Sequence, residues 1–460
     1  MKHIKLEIVS FRRKKDNSDP EWKYGTQLLK EIVPWYMLHF IIAEILRQCK
    51  RKDCLKIWYI LIGLTFCMYH LGWKVTIYFL FQPVLGYILV QFKSKTVIWL
   101  CNLGSLVVIN YYESFQLDFS HLSDYKQHIS ISAMAWINLR SLNYFLDATV
   151  NSKLQKCNLE NVLTVCAYCF YLPIMFYGPL ILFTDFNTLF EQTNMPIVKD
   201  RCRKLFTNLI RFIFWLYFTE LMLHYVYVNA LSYQSEVITH MNLWALYGQG
   251  YCMGQFFHIK YLVFYGISTT IAQFEGIIVP GTPKCIGRIH LYSDMWKYFD
   301  RGLYMFLLRY IYIPISSTKK TLLTKLVASL MCFMYVYVWH GTQVFIAVWS
   351  LLNFTGITVE TLCKALSKTT LYQTAIINKI STQMHRRLTC ILATPLFAMS
   401  ALSNFYFFAG KEVGDIYISR FVQGQFSSQC MILTILYFGS QVSVEVKNWE
   451  HRFHKQTNVR

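Results

Sequence analysis

The stretch LVASLMCFMYVYVWHGTQVFIAVWSLLNF (residues 326–354) decides the class of fold, because it contains no acidic residue, lysine or arginine over nearly thirty positions. It exceeds the roughly 20 apolar residues that an α-helix needs to cross a bilayer. His340 does not suit that environment, since an imidazole there loses hydration and must find partners. It is either a hydrogen-bonded core residue beside Gly341, Thr342 and Gln343 or a group retained for chemistry.

The composition extends this conclusion to the whole chain. Of its 460 residues 55% are hydrophobic, 17% aromatic and 15% charged, and the mean hydropathy is +0.32, which is outside the range of ordinary soluble domains. Eleven apolar segments lie between charged breaks: 32–46, 57–71, 75–92, 97–112, 129–145, 162–183, 205–231, 243–271, 326–354, 388–410 and 430–444.

Some of these segments are short enough to be re-entrant or interfacial. We therefore predict an all-α polytopic membrane protein, a helical bundle with about 8–11 membrane segments including re-entrant or interfacial helices. We expect a single integral membrane domain over residues 1–460, with a basic and polar N-terminal segment over residues 1–27 and a membrane segment over residues 322–356 that carries His340.

The formal net charge of +20 is divided among short basic clusters between the apolar runs, such as Lys50–Lys52 and Arg201–Lys204. Such clusters are typical of the positive-inside rule and of contact with anionic headgroups, so they predict membrane lipids as partners and no nucleic acid. The loop over residues 113–128 is acidic and is expected to face the lumen. The fourteen cysteines show no disulfide framework, and the CxxC pair Cys166 and Cys169 is interpreted as packing inside an apolar segment.

Residues 276–320 carry nine charged side chains among aromatic ones and contain no clean spanning run. This pattern predicts short helices, buried in protein or lying at the interface, with Trp296, Asp300 and Tyr304 on one helix face. Taken alone, Asp300 suits a salt bridge to a neighbouring cation, Asn404 suits an interhelical hydrogen bond, and Cys285 suits a partly buried thiol.

Two stretches, MWKYFDRGLYMFLLRYIYIPI (295–315) and YVWHGTQVFIAVWSLLNFTGITVE (337–360), carry a close resemblance to the membrane-bound O-acyltransferase superfamily. Further matching stretches include GPLILFTDF (178–186) and SNFYFFAGKEVGDIY (403–417), so the resemblance covers about nine-tenths of the chain. Within the superfamily the chain resembles the branch that palmitoylates the N-terminal cysteine of Hedgehog-type secreted ligands. One more hydrophobic helix is expected in such proteins before FRRKKDNSDPEW (11–22).

The resemblance implies roles for six residues. His340 is implied as the general base and Asp300 as the acidic residue that assists it, with Trp296, Lys297 and Asn404 near the acyl-CoA thioester. The family more often has arginine at the position of Lys297, and a point charge cannot replace the bidentate fork of arginine. Cys285 is implied as a possible haem-iron ligand, and no other metal is expected.

The implied reaction is transfer of palmitoyl from palmitoyl-CoA to the amine of an N-terminal cysteine, in the endoplasmic reticulum membrane or the Golgi. Two alternatives stay open. One is another acyltransferase of the superfamily that acts on a lipid hydroxyl or on a serine of a secreted peptide. The other is a non-enzymatic membrane scaffold or transporter in which His340 and Asp300 are a buried polar pair.

Overall fold

The structure is a computed structural model that describes residues 13–111, 122–156, 158–191 and 195–457. Within these ranges the secondary structure is helical throughout, with no strand, which confirms the all-α fold class. The first twelve residues and residues 112–121 lie outside the described residues. The predicted N-terminal segment (1–27) and the predicted luminal loop (113–128) therefore fall partly outside the described part of the chain.

The chain forms two compact units. The first comprises the residues up to Tyr225 together with Lys260–Thr282, and the second comprises Val226–Ile259 together with the residues from Pro283 onward. The expectation of a single integral membrane domain stays a prediction.

The first unit contains nine α-helices in its described residues and the second part of a tenth. They are α1 (Pro20–Gln48), α2 (Lys52–His70), α3 (Trp73–Val90), α4 (Lys95–Asn110), α5 (Asp124–Ala148), α6 (Ser152–Gln155), α7 (Leu159–Cys169), α8 (Phe183–Glu191) and α9 (Val198–Met222). A 3-10 turn over Leu172–Ile174 lies between α7 and α8.

The described part of the second unit contains the remaining helices. They are α10 (Val228–Ser232), α11 (Ser235–His240), α12 (Leu243–Phe274, whose second part belongs to the first unit), α13 (Tyr292–Tyr298), α14 (Arg301–Leu307), α15 (Ile313–Ser316), α16 (Leu322–His340), α17 (Val344–Leu366), α18 (Thr370–Ala375), α19 (Thr382–Val422) and α20 (Phe426–Thr457). A π-helix over Leu308–Tyr312 joins α14 to α15, and 3-10 turns lie at Ile286–Arg288 and Ile377–Lys379.

Six helices of the described chain are long and apolar enough to cross a membrane: α3, α9, α16, α17, α19 and α20. Their apolar side chains are largely exposed, as on α9, where Ile210, Phe214 and Tyr217 are 59–68% exposed on neighbouring turns. Contiguous apolar exposure of this kind would be costly in water and is natural against lipid tails. The number is lower than the predicted 8–11, because helices such as α1 and α5 carry more charged side chains.

The apolar run over residues 162–183 differs from the predicted membrane segment. Its helix, α7, ends at Cys169, and the chain then continues without a long helix to α8. Residues 167–182 are nevertheless buried, and the guanidinium of Arg140 donates to the carbonyl oxygens of Cys169 (2.9 Å) and Ile174 (2.6 Å). Because these carbonyls have a partner, irregular backbone can lie inside the unit.

The segment over residues 276–320 forms short helices, as predicted, but its break falls inside the predicted helix face. Trp296 lies on α13, whereas Asp300 precedes α14 with non-helical backbone (φ −116°, ψ 87°). The prediction that Trp296, Asp300 and Tyr304 share one helix face is therefore wrong. The reason is that the Asp300 carboxylate accepts from the backbone N–H of Leu303 (2.9 Å) and so starts a new helix.

The run over residues 322–356 consists of two helices rather than one. α16 ends at His340 and α17 begins at Val344. Gly341 has a φ of +106°, a conformation that only glycine adopts readily, and its backbone N–H donates to the carbonyl of Val338. The Tyr337 hydroxyl donates to the carbonyl of Thr342 (2.9 Å) and braces the turn.

Candidate active site

His340 is the last residue of α16, so its side chain stands at a break between two apolar helices rather than within one. Its ring is contacted by three aromatic rings, those of Trp339 (4.7 Å between centroids), Trp349 (5.6 Å) and Phe407 (5.1 Å). All three contacts are edge-on, at interplanar angles of 82–87°. Such contacts fix the plane of an imidazole without using its nitrogens as hydrogen-bond partners.

Asn404 is joined to His340 through Trp349. The indole Nε1–H of Trp349 donates to Oδ1 of Asn404 (3.1 Å), and Nδ2 of Asn404 donates to the carbonyl of Ser400 one turn earlier on α19 (3.0 Å). Trp349 thus touches the ring of the predicted base and the amide of a predicted substrate contact. The two predicted residues, 64 positions apart in the sequence, share one neighbour.

Trp296 belongs to the same group of side chains. Its ring centroid lies 5.7 Å from that of Trp349 and 4.9 Å from that of Phe333. Its indole Nε1–H donates to Oδ1 of Asn353 (3.2 Å), whose Nδ2 donates to the carbonyl of Trp349 (2.8 Å).

One stripe of α17 holds the short helix α13 in place. Asn353 binds the Trp296 indole, a Cβ at Gly356 would lie 2.3 Å from the Tyr292 ring, and the carboxylate of Glu360 accepts from the backbone N–H of Ser293 (3.1 Å). The spacing of 353, 356 and 360 places these residues on one face of α17, in line with Trp349 one turn earlier. The stripe therefore fixes where Trp296 lies relative to His340.

The group has two layers with different exposure. His340, Trp296, Asn404 and Phe407 are partly exposed. Behind them, Trp349, Asn353, Ser400 and Ser403 are at least 93% buried. An accessible layer of polar and aromatic groups backed by a buried hydrogen-bonded layer is the arrangement expected where side chains meet a substrate.

Asp300 and Lys297 each have a contact within their own short stretch of chain. The Asp300 carboxylate caps α14 through Leu303, and Nζ of the exposed Lys297 lies 5.1 Å from the centroid of the Tyr298 ring. The roles implied for both residues in the reaction stay predictions.

Cys285 lies at the start of a 3-10 turn, with its Sγ partly exposed and 3.9 Å from Oε1 of Gln255 on α12. An accessible thiol can serve as the single axial ligand of a haem iron. Among the described residues no group of three or more His, Cys, Asp or Glu side chains is placed to hold a metal ion. Cys285 is therefore a single candidate ligand for a haem iron, and that role stays a prediction.

The sequence reasoning missed Trp349, Asn353 and Phe407. The sequence does contain a pattern that marks the first two. Tryptophan, asparagine, glycine and glutamate follow one another at helical spacing, at positions 349, 353, 356 and 360, in a largely apolar helix. That spacing marks a face turned to protein rather than to lipid. No comparable signal marks Phe407, one of several phenylalanines in its segment.

Comparison with known proteins gives one family match and several relatives. The model of the membrane-bound O-acyltransferase family matches residues 84–403. The protein-cysteine N-palmitoyltransferase Rasp of Drosophila melanogaster is 30% identical over 88% of this chain and 80% of its own length. The mouse protein-cysteine N-palmitoyltransferase HHAT is 26% identical over 94% of this chain and 88% of its own length.

A mouse HHAT-like protein is 24% identical over 60% of this chain and 55% of its own length. The family match covers more than half of the chain and includes Trp296, Lys297, Asp300 and His340, and Asn404 follows its last residue directly. The helical polytopic architecture predicted from the sequence and the acyltransferase activity implied by the resemblance are both confirmed. The chain belongs to the membrane-bound O-acyltransferase family.

Proposed function

We propose that the protein is a protein-cysteine N-palmitoyltransferase that transfers palmitoyl from palmitoyl-CoA to the amine of the N-terminal cysteine of a Hedgehog-type secreted ligand. The observation that carries the proposal is the group formed by His340, Trp349 and Asn404, in a chain that covers 80% and 88% of two relatives named for this activity. The Hedgehog-type acceptor follows from the resemblance of the sequence to that branch of the family.

The reaction needs a base. An α-amino group has a pKa of roughly 8, so most of it is protonated near neutral pH and cannot attack. His340 takes a proton from the ammonium, and the nitrogen of the resulting neutral amine forms a bond to the thioester carbon. The carbon–sulfur bond then breaks, the nitrogen loses its second proton, the departing CoA thiolate takes up one proton, and an amide remains.

The negative charge that develops on the carbonyl oxygen needs hydrogen-bond donors. Three side chains are candidates from the sequence: Asn404, Trp296 and Lys297. The indole N–H of Trp296 already donates to Asn353 (3.2 Å), so we assign Trp296 to the wall of the site. Asn404 and Lys297 remain as donors.

The acyl chain would lie along the apolar run 326–338 of α16, where burial of each methylene is worth about 0.8 kcal/mol.

A cytosolic acyl-CoA must meet a luminal acceptor, which calls for an active site at membrane depth. His340, at the end of a helix apolar enough to cross a bilayer, suits that requirement. We accordingly propose the endoplasmic reticulum membrane as the location, with the Golgi as the other compartment, and membrane lipids as contacts of the exposed helix faces.

We further propose Cys285 as the ligand of a haem b iron. Acyl transfer contains no redox step, so haem bound there would take no part in the reaction itself. The absorption spectrum of the purified protein reports its presence.

The first experiment measures label transferred from labelled palmitoyl-CoA to a synthetic Hedgehog N-terminal peptide. Wild type is compared with His340→Ala and with His451→Ala, whose imidazole is exposed on α20. We expect His340→Ala to lose about a hundredfold or more in transfer rate, the usual contribution of a general base, while His451→Ala matches wild type. Size-exclusion profiles establish that all three proteins are folded.

Other results would replace the proposal. If the wild type modifies a lipid hydroxyl or a serine peptide and leaves the cysteine peptide untouched, the family assignment stands and the acceptor is wrong. If His340→Ala transfers label as fast as wild type, His340 is not the base. If no acceptor is acylated, a scaffold role is favoured.

A further inference from the structure

We infer that Trp349 is a positioning residue that fixes the amide of Asn404 as a hydrogen-bond donor to the thioester oxygen while it holds the ring of His340. The inference rests on the proposed function and adds to it a residue that the sequence pattern alone did not assign. We argue it from the hydrogen bond between the indole of Trp349 and the amide of Asn404 and from the burial of that indole.

The direction of the Trp349 to Asn404 hydrogen bond settles which way the amide faces. An indole Nε1–H can only donate, so its partner at 3.1 Å must be the amide oxygen. A flipped amide would place two donors against each other at that distance. With Oδ1 held by Trp349, the NH₂ group of Asn404 is the end of the side chain that remains for other partners.

The NH₂ group has one hydrogen left for a substrate. Nδ2 of Asn404 donates one hydrogen to the carbonyl of Ser400 (3.0 Å), and an amide nitrogen carries two. Asn404 is partly exposed, and the described part of the chain gives its Nδ2 no acceptor other than Ser400, so the second N–H is the one we assign to the substrate. The same amide without Trp349 could rotate and present its oxygen, which would repel a developing oxyanion.

Trp349 itself is held on several sides. It is 93% buried, its ring centroid lies 4.5 Å from that of Phe407 and 5.7 Å from that of Trp296, and its carbonyl accepts from Asn353 (2.8 Å). Its ring also meets the ring of His340 edge-on at 5.6 Å. One rigid side chain therefore sets both the plane of the base and the orientation of the donor, as preorganised electrostatic catalysis requires.

Trp349→Phe tests the inference because it removes the indole N–H and keeps an aromatic ring against His340. It is compared with Asn404→Ala, with the double variant and with Trp449→Phe, the same substitution at a tryptophan that is 59% exposed on α20. Transfer of palmitoyl to the cysteine peptide and hydrolysis of the palmitoyl-CoA thioester by water are both measured. Both reactions develop the same oxyanion, whereas only transfer uses the peptide.

We expect Trp349→Phe to lower kcat for both reactions about tenfold or more, less than the roughly 10²–10³-fold loss on removal of an oxyanion donor, because the amide of Asn404 is still present. KM for palmitoyl-CoA should change less than threefold, because the donor acts on charge that appears in the transition state. The double variant should be no slower than Asn404→Ala alone, since both changes remove one interaction. Trp449→Phe should match wild type.

Additive losses in the double variant, or a raised KM with an unchanged kcat, would overturn the inference, because a residue that only supports the fold would act independently of Asn404. A Trp349→Phe enzyme with wild-type kcat would overturn it as well and leave the proposed function intact. If the wild type hydrolyses the thioester and does not acylate the peptide, the proposed acceptor fails, and the hydrolysis data still decide the role of Trp349. A folded wild type that does neither overturns both.

Discussion

Among the single residues of the candidate site, Trp296 combines two properties that a sequence cannot separate. Its ring forms part of the wall beside Trp349 and Phe333, and its N–H satisfies the buried carbonyl oxygen of Asn353. The aromatic surface is accessible to a substrate, whereas the N–H points to another helix. Trp296 should therefore affect stability through its nitrogen and substrate binding through its ring.

Trp296→Phe separates the two. It keeps most of the ring and leaves Oδ1 of Asn353, which is 97% buried, without its donor, at a cost of about 1–3 kcal/mol. We expect a lower midpoint of thermal unfolding in detergent and a kcat within about threefold of wild type, a far smaller change than Asn404→Ala produces. A kcat as low as that of Asn404→Ala, with an unchanged midpoint, would instead make the Trp296 N–H a donor to the substrate.

Among the elements, the break between α13 and α14 gives Asp300 a structural role next to its predicted chemical one. The carboxylate caps α14 by accepting from Leu303 (2.9 Å). Asparagine caps a helix about as well as aspartate, whereas alanine costs about 0.5–2 kcal/mol. Substitution of Asp300 by asparagine and by alanine therefore distinguishes a helix cap from a side chain whose negative charge is needed for the reaction.

We expect Asp300→Asn to unfold at the wild-type temperature and Asp300→Ala to unfold earlier, with palmitoyl transfer lowered at least about tenfold in both because neither side chain carries the charge that assists the base. Transfer rates and thermal midpoints are measured on the same preparations. Full activity of Asp300→Asn would show that Asp300 serves only as the cap.

The elements also show why hydropathy predicts some helices and not others. The run 326–354 was recognisable as membrane-embedded, but the division into α16 and α17 depends on the backbone of Gly341, at a φ of +106°. The run 162–183 is as apolar as a spanning helix, yet its residues are buried against protein, with carbonyls bound by Arg140. Hydropathy counts apolar side chains and does not distinguish lipid from protein as their surroundings.

The site shows the same limit. His340 stood out because one imidazole in an apolar run must have a reason. The bonds that join it to its neighbours, from Trp349 to Asn404 and from Trp296 to Asn353, connect residues 55 and 57 positions apart. Such pairs depend on how helices pack, so the sequence and its resemblance indicated Trp296 and Asn404 but neither their partners, Asn353 and Trp349, nor the pairing.

For the molecule as a whole, the net charge of +20 conceals a cluster of buried charges in the first unit. Glu275 is fully buried, with Oε1 2.5 Å from Nε2 of His39, and it accepts a hydrogen bond from the hydroxyl of Tyr59. Its Oε2 lies 3.6 Å from Nη2 of Arg47. Nη1 of the same guanidinium lies 2.7 Å from Oε2 of Glu44. A buried carboxylate persists only where such partners surround it.

Glu275→Gln tests how much the unit depends on this charge. Glutamine keeps the size of the side chain but leaves the guanidinium of Arg47 with one carboxylate instead of two, so we expect a loss of about 3 kcal/mol, the lower end for a broken buried ion pair, since Glu44 remains. The matched control is Asp200→Asn in the same unit, whose carboxylate is 51% exposed and lies 3.5 Å from the guanidinium of Arg203, which is 76% exposed. That exposed pair should contribute less than about 1 kcal/mol. Thermal unfolding followed by tryptophan fluorescence in detergent should therefore give a clearly lower midpoint for Glu275→Gln only, and equal midpoints for the two variants would mean that the cluster contributes no more than a surface pair.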